Sequence, residues 1–168
     1  MLDDCFLAEV PGGQQLLDES AGVLHLVLEG RSPEVREGPA GLTKDAGWQI
    51  GVSRTLPHPA AAVWDFISGP EGIALWLGPG AVLIPERGAP YRTAQGVTGE
   101  VRGHRPAERI RVTHGTTTVQ IALAPAAAGA RTTLRFHQEH LASAQERERQ
   151  RAHWQQVMDQ VAIALDRR

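Results

Sequence analysis

The chain has 168 residues, 42% of them hydrophobic, and a net charge of −2 from 17 basic against 19 acidic residues. That length fits one domain with an adequate core, or one domain plus an appendage. The balanced charge leaves no electrostatic footprint for nucleic acid or an anionic membrane, and no apolar run approaches the roughly 20 residues needed to span a bilayer.

Cys5 is the lone cysteine, so neither an intrachain disulfide nor a cysteine zinc cage can form. The acidic start Met1-Leu2-Asp3-Asp4 lacks the basic flank and apolar run of a secretory signal, and a cytoplasmic location is expected. Residues 1–46 read as an N-terminal extension. Leu17, Ala21, Leu24 and Leu28 fit a helix face there, while Leu24, Leu26 and Leu28 fit a strand equally well. The extension closes in a linker with Gly30, Pro33, Gly38, Pro39, Gly41 and Gly47. The main domain is expected over 47–168.

Trp48, Ile50 and Val52 alternate with Gln49, Gly51 and Ser53, which predicts a first strand. Pro59 suits the first turn of a helix running through Val63, Trp64 and Ile67, which Gly69 caps and Pro70 blocks. A short helical turn from Ile73 to Leu77 follows. Further strands are predicted over Ala81–Pro85, around Tyr91, and over Val97–Gly103. Ile110, Val112 and His114 share one face of the next, then Val119, Ile121 and Leu123. After a small-residue loop at Ala126–Gly129, Thr132, Leu134, Phe136 and Gln138 share one face of the last. Successive short strands imply an antiparallel meander with one buried face. Ser143-Ala144-Gln145-Glu146 is a capping box in which serine and glutamate satisfy each other's N–H groups. The helix it opens should carry Glu146–Arg149 and Glu148–Arg151 pairs. Its apolar stripe is Trp154, Val157, Met158, Val161 and Leu165, and only the concave sheet face offers a partner for it.

The order of these elements is similar to that of the START-like helix-grip superfamily. Residues 48 to about 165 resemble the bacterial SRPBCC proteins of the activator of Hsp90 ATPase homologue 1-like family. Three stretches carry the resemblance: Val52-Ser53-Arg54-Thr55-Leu56-Pro57 with the Ala/Val/Trp helix after Pro59, the turn Ala74-Leu75-Trp76-Leu77-Gly78-Pro79, and Leu134–Leu141 leading on to Trp154. The resemblance implies an α+β helix-grip fold, a curved antiparallel sheet wrapped around a long C-terminal helix with a cavity between them. Members of the superfamily include lipid carriers, hormone receptors, polyketide cyclases and antibiotic-sequestering proteins, and fold alone does not choose among them. The family's name suggests a chaperone-associated module, but nothing in residues 1–46 resembles the separate N-terminal domain on which the eukaryotic activator relies.

The expected function is binding of a small apolar or amphipathic ligand in a mostly apolar cavity. A cyclase or dehydratase-like enzyme and a chaperone-associated interaction module are the alternatives. A homodimer is compatible with such folds. No cofactor and no metal are expected. His137 and His140 form His-Gln-Glu-His, but on a strand His137 falls on the solvent face, and the order is not that of a zincin. His114 continues an inward face and is the sole catalytic candidate: its imidazole either acts as a general base or orients a polar group on a ligand, or it is a strand-end residue that is solvated or bonded to a carbonyl. Gln138 either presents its amide to a ligand or satisfies the buried turn. Trp64, Trp76 and Trp154 are expected together at the cavity mouth, each as pocket wall or core, with Trp76 on a glycine-flanked lid. Tyr91 and Phe136 complete the expected lining. Gln150 and Arg147 would supply a polar gate from the last helix, with Arg151 solvated. No Gly-x-Ser-x-Gly elbow, dinucleotide glycine motif or phosphate loop is present, and no carboxylate pair is placed for acid/base work.

Overall fold

The computed structural model describes residues 41–168. The readings made on Cys5 and on the apolar patch from Leu16 to Leu28 lie outside the described residues. Seven strands form one antiparallel sheet: β1 (Leu42–Thr43), β2 (Gly47–Leu56), β3 (Pro90–Arg92), β4 (Thr98–Arg105), β5 (Arg109–His114), β6 (Thr117–Ala126) and β7 (Arg131–Leu141). Their spatial order is β1-β2-β7-β6-β5-β4-β3. Helices α1 (Ala60–Ile67) and α2 (Pro70–Trp76) lie between β2 and β3, and α3 (Ala144–Asp166) closes the chain. This is the α+β helix-grip architecture, a curved sheet gripping one long helix.

The alternation in the sequence sets the faces. Ile110 and Val112 on β5, Val119 and Ile121 on β6, and Leu134 and Phe136 on β7 are almost fully buried, while Arg109, Arg111 and Arg135 between them reach water. The helical stripe of α3 meets that face, with Trp154, Val157, Met158, Val161 and Leu165 all buried. Phe136 and Trp154 stack at the centre, ring centroids 4.9 Å apart and planes 21° apart. Val63, Phe66 and Ile67 of α1 complete the core.

Several local expectations need correction. Ala81–Pro85 is not a strand: the Ala81 N–H goes to Gly78 O and the Glu86 N–H to Ile84 O, so local turns take the bonds a ladder would use. Val82 is consequently 73% exposed. Gly69 does not cap α1 in a left-handed conformation. Its φ of −81° is ordinary, it precedes α2, and Pro70 opens that helix rather than blocking α1. At the start of α3, Ser143 Oγ accepts from the Glu146 N–H at 3.1 Å, but the Glu146 carboxylate reaches back to Ala142 N instead of Ser143 N. Glu148 pairs with Arg151 as expected, at 3.1 Å. No ion pair joins Glu146 to Arg149; the glutamate is occupied at the cap. The sheet also takes in Leu42 and Thr43, paired with Trp48 and Gly47, so it reaches back across the boundary expected at residue 46.

Candidate functional site

A cavity of about 330 Å³ opens between α2 and α3. One wall is the second half of α2 and the turn after it, Ala74 to Pro79. The opposite wall is the first half of α3, through Gln150, His153 and Trp154. His114 at the end of β5 and Gln138 on β7 come up from the sheet, and Gln95 comes from the β3–β4 connection. No aspartate, glutamate, lysine or arginine is among these lining residues.

The floor is a chain of hydrogen bonds running from helix to sheet. Trp154 Nε1–H donates to Gln138 Oε1 at 2.9 Å, and Gln138 Nε2–H donates to Thr117 Oγ1 at 3.0 Å. The Thr117 hydroxyl in turn donates to the His114 carbonyl at 2.9 Å. Gln138 and Thr117 are buried polar residues, and burial without these partners would be costly. Gln138 therefore spends its amide on two side chains rather than on the buried backbone at the turn, and keeps one amide hydrogen uncommitted in this chain of bonds.

His114 is half-buried, and its ring is held from behind. Tyr91 Oη lies 2.9 Å from His114 Nδ1 and 2.5 Å from the Thr113 carbonyl oxygen. The two rings are nearly parallel, 9° apart. Burial, and after it the neighbouring His153, push the His114 imidazole below its ordinary value. Burial also pushes the Tyr91 phenol well above its own ordinary range. Both shifts favour the uncharged forms of the two groups.

The cavity brings together Trp76, His114, Gln138, Gln150 and Trp154 of the expected site residues. Three others lie elsewhere. Phe136 is buried beneath the floor against Trp154, and Tyr91 stands behind His114. Trp64 is apart from the cavity on α1, edge-on to His104 at 5.3 Å, so the three tryptophans do not meet at one mouth. Trp76 is no lid. Its indole N–H donates to Ile67 O at 2.9 Å, and it is only 3% exposed. Its helix is locked on α1 at Gly72, where an added Cβ would come within 2.0 Å of Phe66 O. Arg147 is no gate either, because its Nε–H donates to Gln49 O at 2.9 Å and clasps β2. His137 falls on the outer face, its Nε2 at 2.9 Å from Gln49 Oε1.

The cavity wall is also more polar than the expected apolar cavity. The space between sheet and helix is filled by the Phe136–Trp154–Met158 core, and what stays open is the end where α3 turns polar. His153 and Gln95 were missed by sequence reasoning. His153 carried a signal, since it lies at i+3 from Gln150 on the same helix face. Gln95 carried none.

The family model described as "Activator of Hsp90 ATPase homolog 1-like protein" matches residues 57–166. The chain belongs to this family. Solved structures of the same fold include CalU16 from Micromonospora echinospora, with a TM-score of 0.61, 19% identity, and coverage of 73% of this chain and 80% of that one. CV1439 from Chromobacterium violaceum aligns with a TM-score of 0.56 and 26% identity over 70% of this chain and 96% of its own. DynU16, a protein in the dynemicin biosynthetic locus, gives a TM-score of 0.60 and 22% identity over 70% of this chain. This chain spans only 47% of the length of DynU16. No curated protein sequence matches. Among the described residues, no helix is long and apolar enough to cross a membrane.

Proposed function

We propose that this protein binds a small amphipathic molecule in the cavity between α2 and α3 and holds it without chemical change. The observation that carries this reading is the cavity itself, a 330 Å³ recess beside a solid core, walled by Trp154 and by uncharged hydrogen-bonding side chains. Such a recess desolvates the apolar part of a ligand while a few polar groups fix its orientation. Carboxylates poised for acid/base work are missing from the lining residues. The family and the neighbouring structures support the fold that this reading requires.

Native mass spectrometry of gently purified protein, compared with the denatured mass, tests the reading. The expected result is a ligand-sized excess that disappears on denaturation. A clean mass, together with no thermal shift across a library of amphipathic molecules, would overturn it. His114 supplies the specific ground for a second reading, proton transfer to an imidazole on the cavity wall. His114→Ala separates the two. A carrier loses affinity alone, whereas an enzyme loses roughly 10²-fold or more in turnover.

A further inference from the structure

The tyrosine behind His114 decides which nitrogen of the imidazole carries the proton. A phenol has one hydrogen to give and can also accept. Tyr91 Oη lies within bonding distance of both the Thr113 carbonyl oxygen (2.5 Å) and His114 Nδ1 (2.9 Å). The carbonyl can only accept, so the phenolic hydrogen goes there. The remaining contact then has one solution, in which His114 Nδ1–H donates to Tyr91 Oη.

The surroundings enforce this arrangement. The β4–β5 ladder pairs Val101 with Val112, and beyond it the Glu100 N–H turns to Thr113 Oγ1 at 2.9 Å. The Thr113 carbonyl is left for the phenol. Gly99 pairs with Tyr91 across β3 and β4, and an added Cβ there would lie 1.9 Å from Thr113 O and 2.6 Å from Tyr91 Oη. The phenol fits only because residue 99 has no side chain. Among the described residues, His114 Nε2 has no hydrogen-bond partner, and no buried side-chain nitrogen or oxygen lacks one. Nε2 is therefore accessible, on a residue that lines the cavity.

We propose that Tyr91 is a positioning residue that holds His114 as the Nδ1–H tautomer, so that the cavity presents a bare Nε2 acceptor and takes an uncharged ligand bearing a hydroxyl or phenol donor. The ligand-class part rests on the cavity-binding reading; the tautomer does not. The absence of formal charge among the lining side chains sets the ligand's neutrality. His153 on α3 and Tyr91 on β3 are the titratable groups facing His114, and neither provides a counter-charge for an ionic ligand.

Two measurements on the uniformly 15N-labelled full chain test this. Long-range 1H–15N spectra of the histidine rings, recorded above the imidazole titration range and assigned with His114→Gln, should show Nδ1 of His114 protonated and Nε2 unprotonated. Tyr91→Phe should shift that ring towards Nε2–H while leaving the backbone amide spectrum largely in place. A wild-type ring in the Nε2–H form, or a tautomer indifferent to Tyr91→Phe, overturns the assignment. Next, 2-naphthol and 2-methoxynaphthalene are titrated as matched probes. The naphthol should move the Nε2 resonance and bind roughly 3- to 10-fold more tightly than the ether, the effect of one hydrogen bond. Equal affinity overturns the donor requirement but leaves cavity binding standing. Binding by neither probe overturns the ligand class and counts against the cavity reading too, whatever the tautomer.

Discussion

The two halves of α3 face the same sheet and do opposite work. From Trp154 to Leu165 the helix buries Val157, Met158, Val161 and Leu165 in the core. From Ala144 to His153 it is charged and polar, cannot bury that surface at acceptable cost, and stands beside an open cavity. The site is where the apolar stripe stops. Trp154 belongs to both halves: its ring stacks on Phe136 and its N–H anchors the cavity floor through Gln138.

The largest expected effect comes from breaking that junction. Trp154→Ala should cost on the order of 3–5 kcal/mol, read as a fall in the urea midpoint, because it removes a buried ring and leaves Gln138 Oε1 unpaired. A loss under about 1 kcal/mol would show that the helix does not dock as described.

A paired comparison sharpens the divide. Met158→Ala, in the filled half, should cost about 2–5 kcal/mol. Gln150→Ala, in the open half, should stay within about 0.5 kcal/mol of the parent while weakening ligand retention in native mass spectra. Equal destabilisation by the two would erase the distinction. Between them lies Gln138→Leu. It keeps the volume but strands the Trp154 N–H, so about 1–3 kcal/mol should be lost. Trp154→Phe in the same background should recover part of that loss by removing the stranded donor.

The filled half was legible in the sequence because burial writes itself as periodicity. The alternation of Leu134 and Phe136, and the helical spacing of Val157, Val161 and Leu165, each follow from an element with one dry face. The cavity was legible only in part. His114, Gln138 and Gln150 follow from face arguments; Tyr91 is named among the expected lining, but its place behind His114 depends on a strand of three residues, too short to show a period. The loop at Ala81–Pro85 misled for the converse reason. Its apolar residues imitate a strand, yet no neighbouring strand is placed to pair with them. Trp76 misled as well, because the glycines flanking its turn serve packing as readily as motion, Gly72 against Phe66 on α1 and Gly78 beside Thr93.

Acid is the finest probe of the same divide, because imidazoles sit on both sides of it. His114 on the cavity wall and His137 on the outer face of the sheet are each pushed below the ordinary value of 6.5, in both cases first by burial. Above that value the imidazoles are neutral in folded and unfolded chains alike and contribute nothing to the balance. As pH falls below it the unfolded chain takes up protons first, so stability declines, and the decline levels off once pH has passed below the folded-state values. Urea midpoints measured between about pH 7.5 and 5 should therefore fall on the acid side. His114→Gln should flatten part of that fall, with His137→Gln flattening a separate part, and the two should add because they lie on opposite faces of the sheet. Ligand retention should respond to His114→Gln alone. A loss of retention with His137→Gln of the same size would mean that the outer face of the sheet, and not the polar end of α3, governs the site.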